Sequence, residues 1–241
     1  MGYALREWDE IDSTNEEARR LAANSERGPV WLRADRQTAG RGRRGRVWES
    51  PTGNLAATLL IAPDKAASEC AQLSFVTAIA AADAASAFAP SADIKVKWPN
   101  DVLAGGKKLA GILLESASGA GAAPTYLAIG VGMNLAYFPP DTEFPATSLA
   151  ALGVSVPSAT AALTQLAGHF AKWYDVWMNS GFSSIQDAWL ARAAGLGTRI
   201  RARLTHEETS GVFEGIDNTG ALILRESTDR VRTISAGEVF F

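Results

Sequence analysis

An α+β fold follows from two features of this 241-residue sequence. Over the first two thirds, short β runs outnumber helical ones and several are joined by tight turns. That order suits a mixed sheet with helices on one side better than regular strand–helix alternation. After Gly195-Leu196-Gly197 the composition shifts to short β runs alone, which predicts a small closing barrel. The expected division is therefore a larger domain over 1–194 and a smaller one over 195–241.

Ser13-Thr14-Asn15-Glu16 has capping-box spacing, and Ala18, Leu21 and Ala22 recur at helical intervals, so a helix is expected from about Thr14 to Ala23. Val30, Trp31 and Leu32 mark a strand over Pro29 to Asp35; Leu55, Leu59, Leu60 and Ile61 mark another over Asn54 to Ala62. The alanine-rich stretch from roughly Ser68 to Phe88 stops at Pro90. Gln72, Ser74, Asp83 and Ser86 interrupt it, so it reads as a core or amphipathic helix with no membrane span. Strands follow at Ile94 to Lys97, Asp101 to Ala104, Lys107 to Ser116 and Thr125 to Asn134. The second and third of these join across Gly105-Gly106, a two-glycine hairpin signal. From Pro157, Leu163, Leu166, Phe170, Trp173, Tyr174 and Trp177 keep helical spacing, continued by Ile185, Trp189 and Leu190 after a break at Gly181. Such aromatics belong to a core. The last β runs are Arg199 to Leu204, Gly211 to Ile216, Ala221 to Leu224 and Val231 to Ile234, with a turn at Asp217-Asn218-Thr219-Gly220.

Composition narrows the function. A net charge of −3 argues against broad nucleic-acid binding, which requires a basic face. Cys70 is the single cysteine, which excludes an intrachain disulfide and a cysteine zinc site and fits a reducing, cytoplasmic setting. Acids at Glu7, Asp9 and Glu10 make Met1 to Glu10 unlike a signal peptide.

Against that acidic background, Gly40-Arg41-Gly42-Arg43-Arg44-Gly45-Arg46 concentrates fixed cations that suit phosphate or carboxylate. Its glycines satisfy the dinucleotide fingerprint, but Val47 to Gly53 lead through a loop into a strand where that motif opens a helix. A solvated, empty loop is the simpler alternative, since two guanidiniums about 8 Å apart repel by only about 0.5 kcal/mol in water. Further polar segments weigh against it: Ser13-Thr14-Asn15, Gln37, Lys97-Trp98-Pro99-Asn100-Asp101, Lys107-Lys108-Leu109-Ala110-Gly111 and Gly130-Val131-Gly132-Met133-Asn134. Singly, each has a plain reading, Ser13 as a helix cap and Lys108 as a hairpin lysine.

Together and in this order, these segments resemble the biotin protein ligases, from about Trp8 to the C-terminal barrel. The resemblance implies a class II aminoacyl-tRNA synthetase/biotin ligase-like catalytic domain followed by an SH3-like barrel. It also implies an enzyme that joins biotin to ATP as biotinyl-5′-AMP, releasing pyrophosphate, and passes the biotinyl group to one lysine of a carrier. By the same resemblance Lys108 and Arg43 are catalytic. Ser13, Thr14, Asn15, Gln37, Gly40, Arg41, Gly42, Arg43, Lys108, Gly111, Gly130 and Gly132 take biotin, the last two by leaving room for ligand against the strand. Arg43, Arg46, Trp48, Asn100, Asp101, Lys108 and Asn134 take ATP and the adenylate. No protein-only metal site is implied; Mg²⁺ enters with ATP, near Asp101. The implied partner is a biotin carboxyl carrier domain of a biotin-dependent carboxylase, with no DNA and no membrane, for a monomer or homodimer.

Such chemistry brings a carboxylate to an anionic phosphate, so the site must first cancel repulsion. Lys107, one residue from Lys108, should face away from it. Only twelve residues precede Ser13, so no DNA-binding segment or repressor function is expected. The glycine-spaced arginines predict a loop, Gly40 to Arg46, that is mobile until it orders over ligand. A lipoate ligase, or a non-catalytic nucleic-acid module using the loop as a phosphate clamp, is the competing reading. His169 and His206 lie outside every motif.

Overall fold

The computed structural model describes residues 3–118 and 122–241. In chain order the first part comprises β1 (Ala4–Ile11), α1 (Thr14–Ala23), β2 (Val30–Gln37), β3 (Leu55–Ile61), α2 (Ala67–Cys70), α3 (Leu73–Phe88), β4 (Ile94–Lys97), β5 (Asp101–Ala104), β6 (Lys107–Ser118), β7 (Pro124–Met133), α4 (Ala159–Ser180) and α5 (Phe182–Leu190). Then come β8 (Arg199–Arg203), β9 (Glu208–Ile216), β10 (Leu222–Ser227), β11 (Arg230–Ile234) and β12 (Glu238–Phe240).

The first seven strands form one mixed sheet in the order β1-β2-β3-β7-β6-β5-β4. Only β1 and β2 are parallel, with α1 as their crossover; every other neighbour is antiparallel. The helical layer of α3, α4 and α5 covers one face, where Leu59, Ile61, Ile129 and Val131 point into the main core. α3 is buried on nearly every side, which is why its apolar residues show no single stripe. Short α1 lies on the opposite face, its Ala18 and Ala22 packed on Val30, Leu32, Leu60 and Ala128. Alternation along the strands divides the two sets, Leu59 inward to the helical layer and Leu60 outward to α1.

Three details depart from the sequence reading. The alanine-rich helix is broken at Ala71 and Gln72 into α2 and α3. Strand β1 was not anticipated because it is an exposed edge: Arg6, Glu7, Asp9 and Glu10 stand outward, so no apolar alternation marks it. Strand β12 has three residues, too short for any periodic signal. The hairpin at Gly105-Gly106 is as expected, with φ +55° and +76°, the positive pair that a type I′ turn requires.

β5 is short, and this matters near the site. It pairs with β6 only from Lys107 to Gly111, so from Ile112 onward the strand partner of β6 is β7 alone. The β5–β6 ladder also carries a bulge, since Leu103 faces Lys108 while Val102 faces Ala110. Bulges re-aim side chains, and here the extra residue lies immediately after Lys108.

The last five strands form a separate antiparallel sheet, β11-β10-β9-β8-β12, the small SH3-like domain. It is joined to the larger part by apolar and polar contacts. Trp189 is fully buried between Phe75 and Phe213, edge-on to both. Trp98 Nε1 donates to Gly220 O at 3.0 Å. Gly220 has φ +86°, and a Cβ there would come within 2.4 Å of the Phe75 ring, so turn and contact both require glycine. Phe75→Ala should therefore lower unfolding free energy by about 3–5 kcal/mol, read from a urea unfolding midpoint.

Candidate active site

Where β6 and β7 face α1, the sheet is bare. Gly111 lies across from Gly132, and Leu113 from Gly130. A Cβ at Gly130 would come 2.3 Å from Asn15 Oδ1, and one at Gly132 would meet the Trp48 indole at 2.3 Å. The space that the sequence reading reserved for ligand thus holds two of the protein's own side chains, laid against the backbone. Above them opens a cavity of about 330 Å³. Ser13, Thr14, Asn15, Gln37, Arg41, Gly42, Arg43, Arg46, Trp48, Asn100, Asp101, Lys108, Gly111, Gly130, Gly132 and Asn134 all line it. Gly40 does not: it is buried behind Trp48, whose N–H donates to Gly40 O at 3.0 Å.

One end of the cavity is built of hydroxyls and amides. The capping box is not realised, because Ser13 makes no capping bond with its side chain. Asp12, just before α1, accepts the Ser13 N–H at 2.7 Å and pairs with Arg20, which holds its carboxyl down to about 2. Ser13 is left facing the cavity. Gln37 Oε1 accepts from the Thr14 N–H at 2.8 Å, while its Nε2 donates to Ser50 Oγ. Thr58, fully buried on β3, lies 2.6 Å from Asn15 Oδ1 and 2.8 Å from Thr14 Oγ1. The Asn15 amide donates to Glu115 Oε2 at 2.7 Å and to Leu113 O at 3.4 Å.

The other end is cationic. Asp101, nearly buried, receives Lys108 Nζ at 2.6 Å on one oxygen and Lys97 Nζ at 3.8 Å on the other. Lys108 is half-buried over Gly111, whereas Lys107 is exposed on the far side of the strand, as expected. Backbone bonds to Pro145 and Thr147 pin Lys108 from outside. Lys97 sits 3.7 Å from the Phe144 ring centre. Burial, reinforced by Lys108 and Arg46, pulls its ammonium down to about 8 against the opposing pull of Asp101.

The glycine-arginine loop arches between these ends. A short 3-10 turn, Arg43–Gly45, has Arg44 at φ +57°, a left-handed position for a side chain, and Gly45 at φ +73°. Gly42 N–H bonds to Arg46 O at 2.7 Å and closes the loop. Arg43 donates to Asn100 Oδ1 and Gly237 O, and burial beside Arg44 and Arg46 lowers its affinity for its proton. Arg46 pairs with Glu238 of β12, and Arg41 lies between Glu16 and Glu115. Arg44 is exposed, with no acidic partner among the described residues. The repulsion anticipated from sequence is therefore answered at Arg41 and Arg46 by carboxylates drawn from distant segments.

Asn100 and Asn134 are tied to backbone as well, through Nδ2 to Ile112 O and Thr147 O. Sequence reasoning missed Thr58, Glu115, Phe144 and Glu238, which carry no local motif. It quoted Lys97 without giving it a task. Among the described residues no three His, Cys, Asp or Glu side chains gather as a metal site.

Since Lys97 ionises near 8 in the folded chain and near 10.5 unfolded, the unfolded chain binds the extra proton between those values. Stability from this group should rise as pH climbs from 8 to 10.5. The expected result is one lysine side-chain NMR signal titrating near 8, absent in Lys97→Met, together with a flatter pH–stability profile for the variant.

Comparison with known proteins places these features. Residues 9–134 match the Biotin/lipoate A/B protein ligase family, and residues 195–241 match the Biotin protein ligase C terminal domain. The chain is 48% identical over 237 residues to a biotin–[acetyl-CoA-carboxylase] ligase of Paracoccus denitrificans, covering 95% of this chain and 97% of that one. It is 34% identical to the bifunctional ligase/repressor BirA of Bacillus spizizenii, over 99% of this chain and 74% of the relative. In structure it is similar to a biotin protein ligase from Aquifex aeolicus in complex with biotin and ATP, with TM-score 0.83 and 26% identity over 98% and 97% of the two chains.

Proposed function

The chain belongs to the biotin/lipoate A/B protein ligase family as a biotin protein ligase, and from that premise we propose how its own residues divide the work. The enzyme binds biotin and ATP, forms biotinyl-5′-AMP with release of pyrophosphate, and transfers the biotinyl group to a carrier protein. One observation carries the division of labour: a single cavity is neutral and hydrogen-bonding at one end and cationic at the other.

We assign the neutral end, Ser13, Thr14 and Gln37, to the polar ureido head of biotin. Arg41 and Gly42 lie along the tail. Lys108 and Arg43 meet where the carboxylate must reach the α-phosphate, and their charge offsets the repulsion between the two anions. A carboxylate oxygen then bonds to phosphorus while the bond to pyrophosphate breaks. Arg46, Trp48, Asn100, Asp101 and Asn134 line the nucleotide side. In the second step an unprotonated lysine of the carrier attacks the acyl carbon, AMP leaves, and the amine gives up a proton. Holding both reactants fixed contributes several kcal/mol, up to about 7–11 in ideal geometry.

Mg²⁺ suits this donor set only as a companion of the nucleotide, because Asp101 offers one carboxylate and Mg²⁺ commonly takes one or two besides phosphate oxygens and water. When bound it would neutralise phosphate charge. We propose the carrier domain of a biotin-dependent carboxylase as acceptor. Supporting a docking place for it is the stretch of β6 beyond Ile112, beside Asn100 and Arg43, which has no second strand neighbour. A cytoplasmic location fits Cys70, which is buried, unpaired and pushed up in pKa by burial. We place the domain boundary between residues 194 and 195, supported by the C-terminal match.

Incubation with biotin, Mg-ATP and a carrier domain should add one biotinyl group by intact mass; no addition to a carrier shown competent with another ligase would refute the reading. Lys108→Ala and Arg43→Gly should each slow biotin-dependent ATP–pyrophosphate exchange by about a hundredfold. The loop is proposed to tighten over the adenylate. Tryptic cleavage at Arg41 to Arg46 should slow when biotin and ATP are both present, and equal cleavage in both states would refute ordering.

A further inference from the structure

We infer that Glu115 is a positioning residue for biotin activation, one carboxylate that sets the floor of the biotin pocket and the loop above it at the same time. The inference rests on the assignment of Ser13 to Gln37 and Arg41 to the biotin end of the cavity. Glu115 projects from β6, a hundred residues from Asn15 and seventy-four from Arg41, and touches both.

Towards the floor, Glu115 Oε2 accepts from Asn15 Nδ2 at 2.7 Å. The second amide hydrogen points to Leu113 O at 3.4 Å, and Asn15 Oδ1 takes the Thr58 hydroxyl at 2.6 Å. Both donors of Asn15 and one of its acceptor positions are therefore engaged by protein. The side chain is also wedged over Gly130, where a Cβ would come 2.3 Å from Oδ1. Asn15 thus acts less as a hand on the ligand than as a fixed block beside Thr14. A carboxylate can only accept, so Glu115 dictates which way the amide is turned: Nδ2 outward, Oδ1 towards Thr58.

Towards the loop, the same carboxylate lies 3.3 and 3.4 Å from Arg41 Nη2, with Glu16 Oε2 at 3.4 Å on the other side. Arg41 is partly exposed, so this contact is a weak, screened attraction. It is well placed to act, however, because Arg41 lines the same cavity as Asn15 and belongs to the loop that carries Arg43. Arg41 held there keeps the loop beside the biotin tail and is not drawn off to the carboxylate end. The two contacts differ in kind: the first needs an acceptor, the second needs a negative charge.

That difference makes a test. Glu115→Gln keeps an acceptor for Asn15 Nδ2 and removes the charge, whereas Glu115→Ala removes both. In biotin-dependent ATP–pyrophosphate exchange, Glu115→Ala is expected to raise the KM for biotin about tenfold or more, with the KM for ATP and kcat within about twofold. Glu115→Gln should fall between wild type and Glu115→Ala. In an Arg41→Met background, the change to Gln should have no further effect while the change to Ala retains most of its own. Equal biotin KM values for all Glu115 variants would overturn the inference, as would parallel losses for biotin and ATP, which signify a general structural defect. A lower biotin KM in Glu115→Gln would also overturn it, since Glu115 would then be competing with the ligand for Arg41. Absence of biotin-dependent exchange in the unsubstituted enzyme would instead remove the ligase reading, and this inference with it.

Discussion

Everything in the site depends on a patch of sheet that three glycines leave nearly free of side chains. Gly111, Gly130 and Gly132 occupy adjoining places on β6 and β7, on the face turned away from the helical layer. Bare backbone lets Asn15 and Trp48 lie flat, and those two side chains then define the floor on which everything else is arranged. The opposite face of the same strands carries Ile112, Ile129 and Val131 in the main core, so the patch is rigid although it is empty. A site of this kind needs a packed layer behind it and a helix and loop in front, which is the order of layers observed.

The charges follow a second rule, that most of the site's cations are met by a carboxylate from another segment. Arg46 finds Glu238 in the last strand, Arg41 finds Glu16 and Glu115, and Lys108 and Lys97 share Asp101. An acidic protein can therefore hold a strongly basic pocket without a basic surface. Lys97 shows the cost of enclosing charge in this way, since burial and neighbouring cations outweigh Asp101 and weaken its hold on its proton. Arg43 is met by the Asn100 amide oxygen and the Gly237 carbonyl instead, and Arg44 stands exposed at the turn in a left-handed conformation.

The sequence made legible what was written locally. The strand ends beside Asn100, Asp101 and Lys108, the two-glycine hairpin and the core helices each have a short-range pattern, and each lies where that pattern placed it except that the alanine-rich helix is divided at Ala71 and Gln72. The capping box was also local, yet the structure does not use it: the Ser13 side chain makes no cap bond and lines the cavity instead. Thr58, Glu115 and Glu238 were invisible because their meaning lies in partners dozens to nearly two hundred residues away, and an isolated Thr or Glu in a strand carries no sign of them. Likewise β1 hid behind its charges. Its pairing with β2 comes from the parallel crossover through α1, a relation that no residue of β1 announces by itself.

The placement of β12 makes one end of the cavity a joint product of both sheets. Gly237 and Glu238 hold Arg43 and Arg46, and Phe240 stands 5.7 Å from Lys97, so residues far apart in sequence meet there. The small sheet thus supplies the carboxylate that steadies the arginine loop of the larger one. Anything that loosens the smaller sheet from the larger would therefore unsettle the nucleotide end of the cavity while leaving the hydroxyl-and-amide end in place.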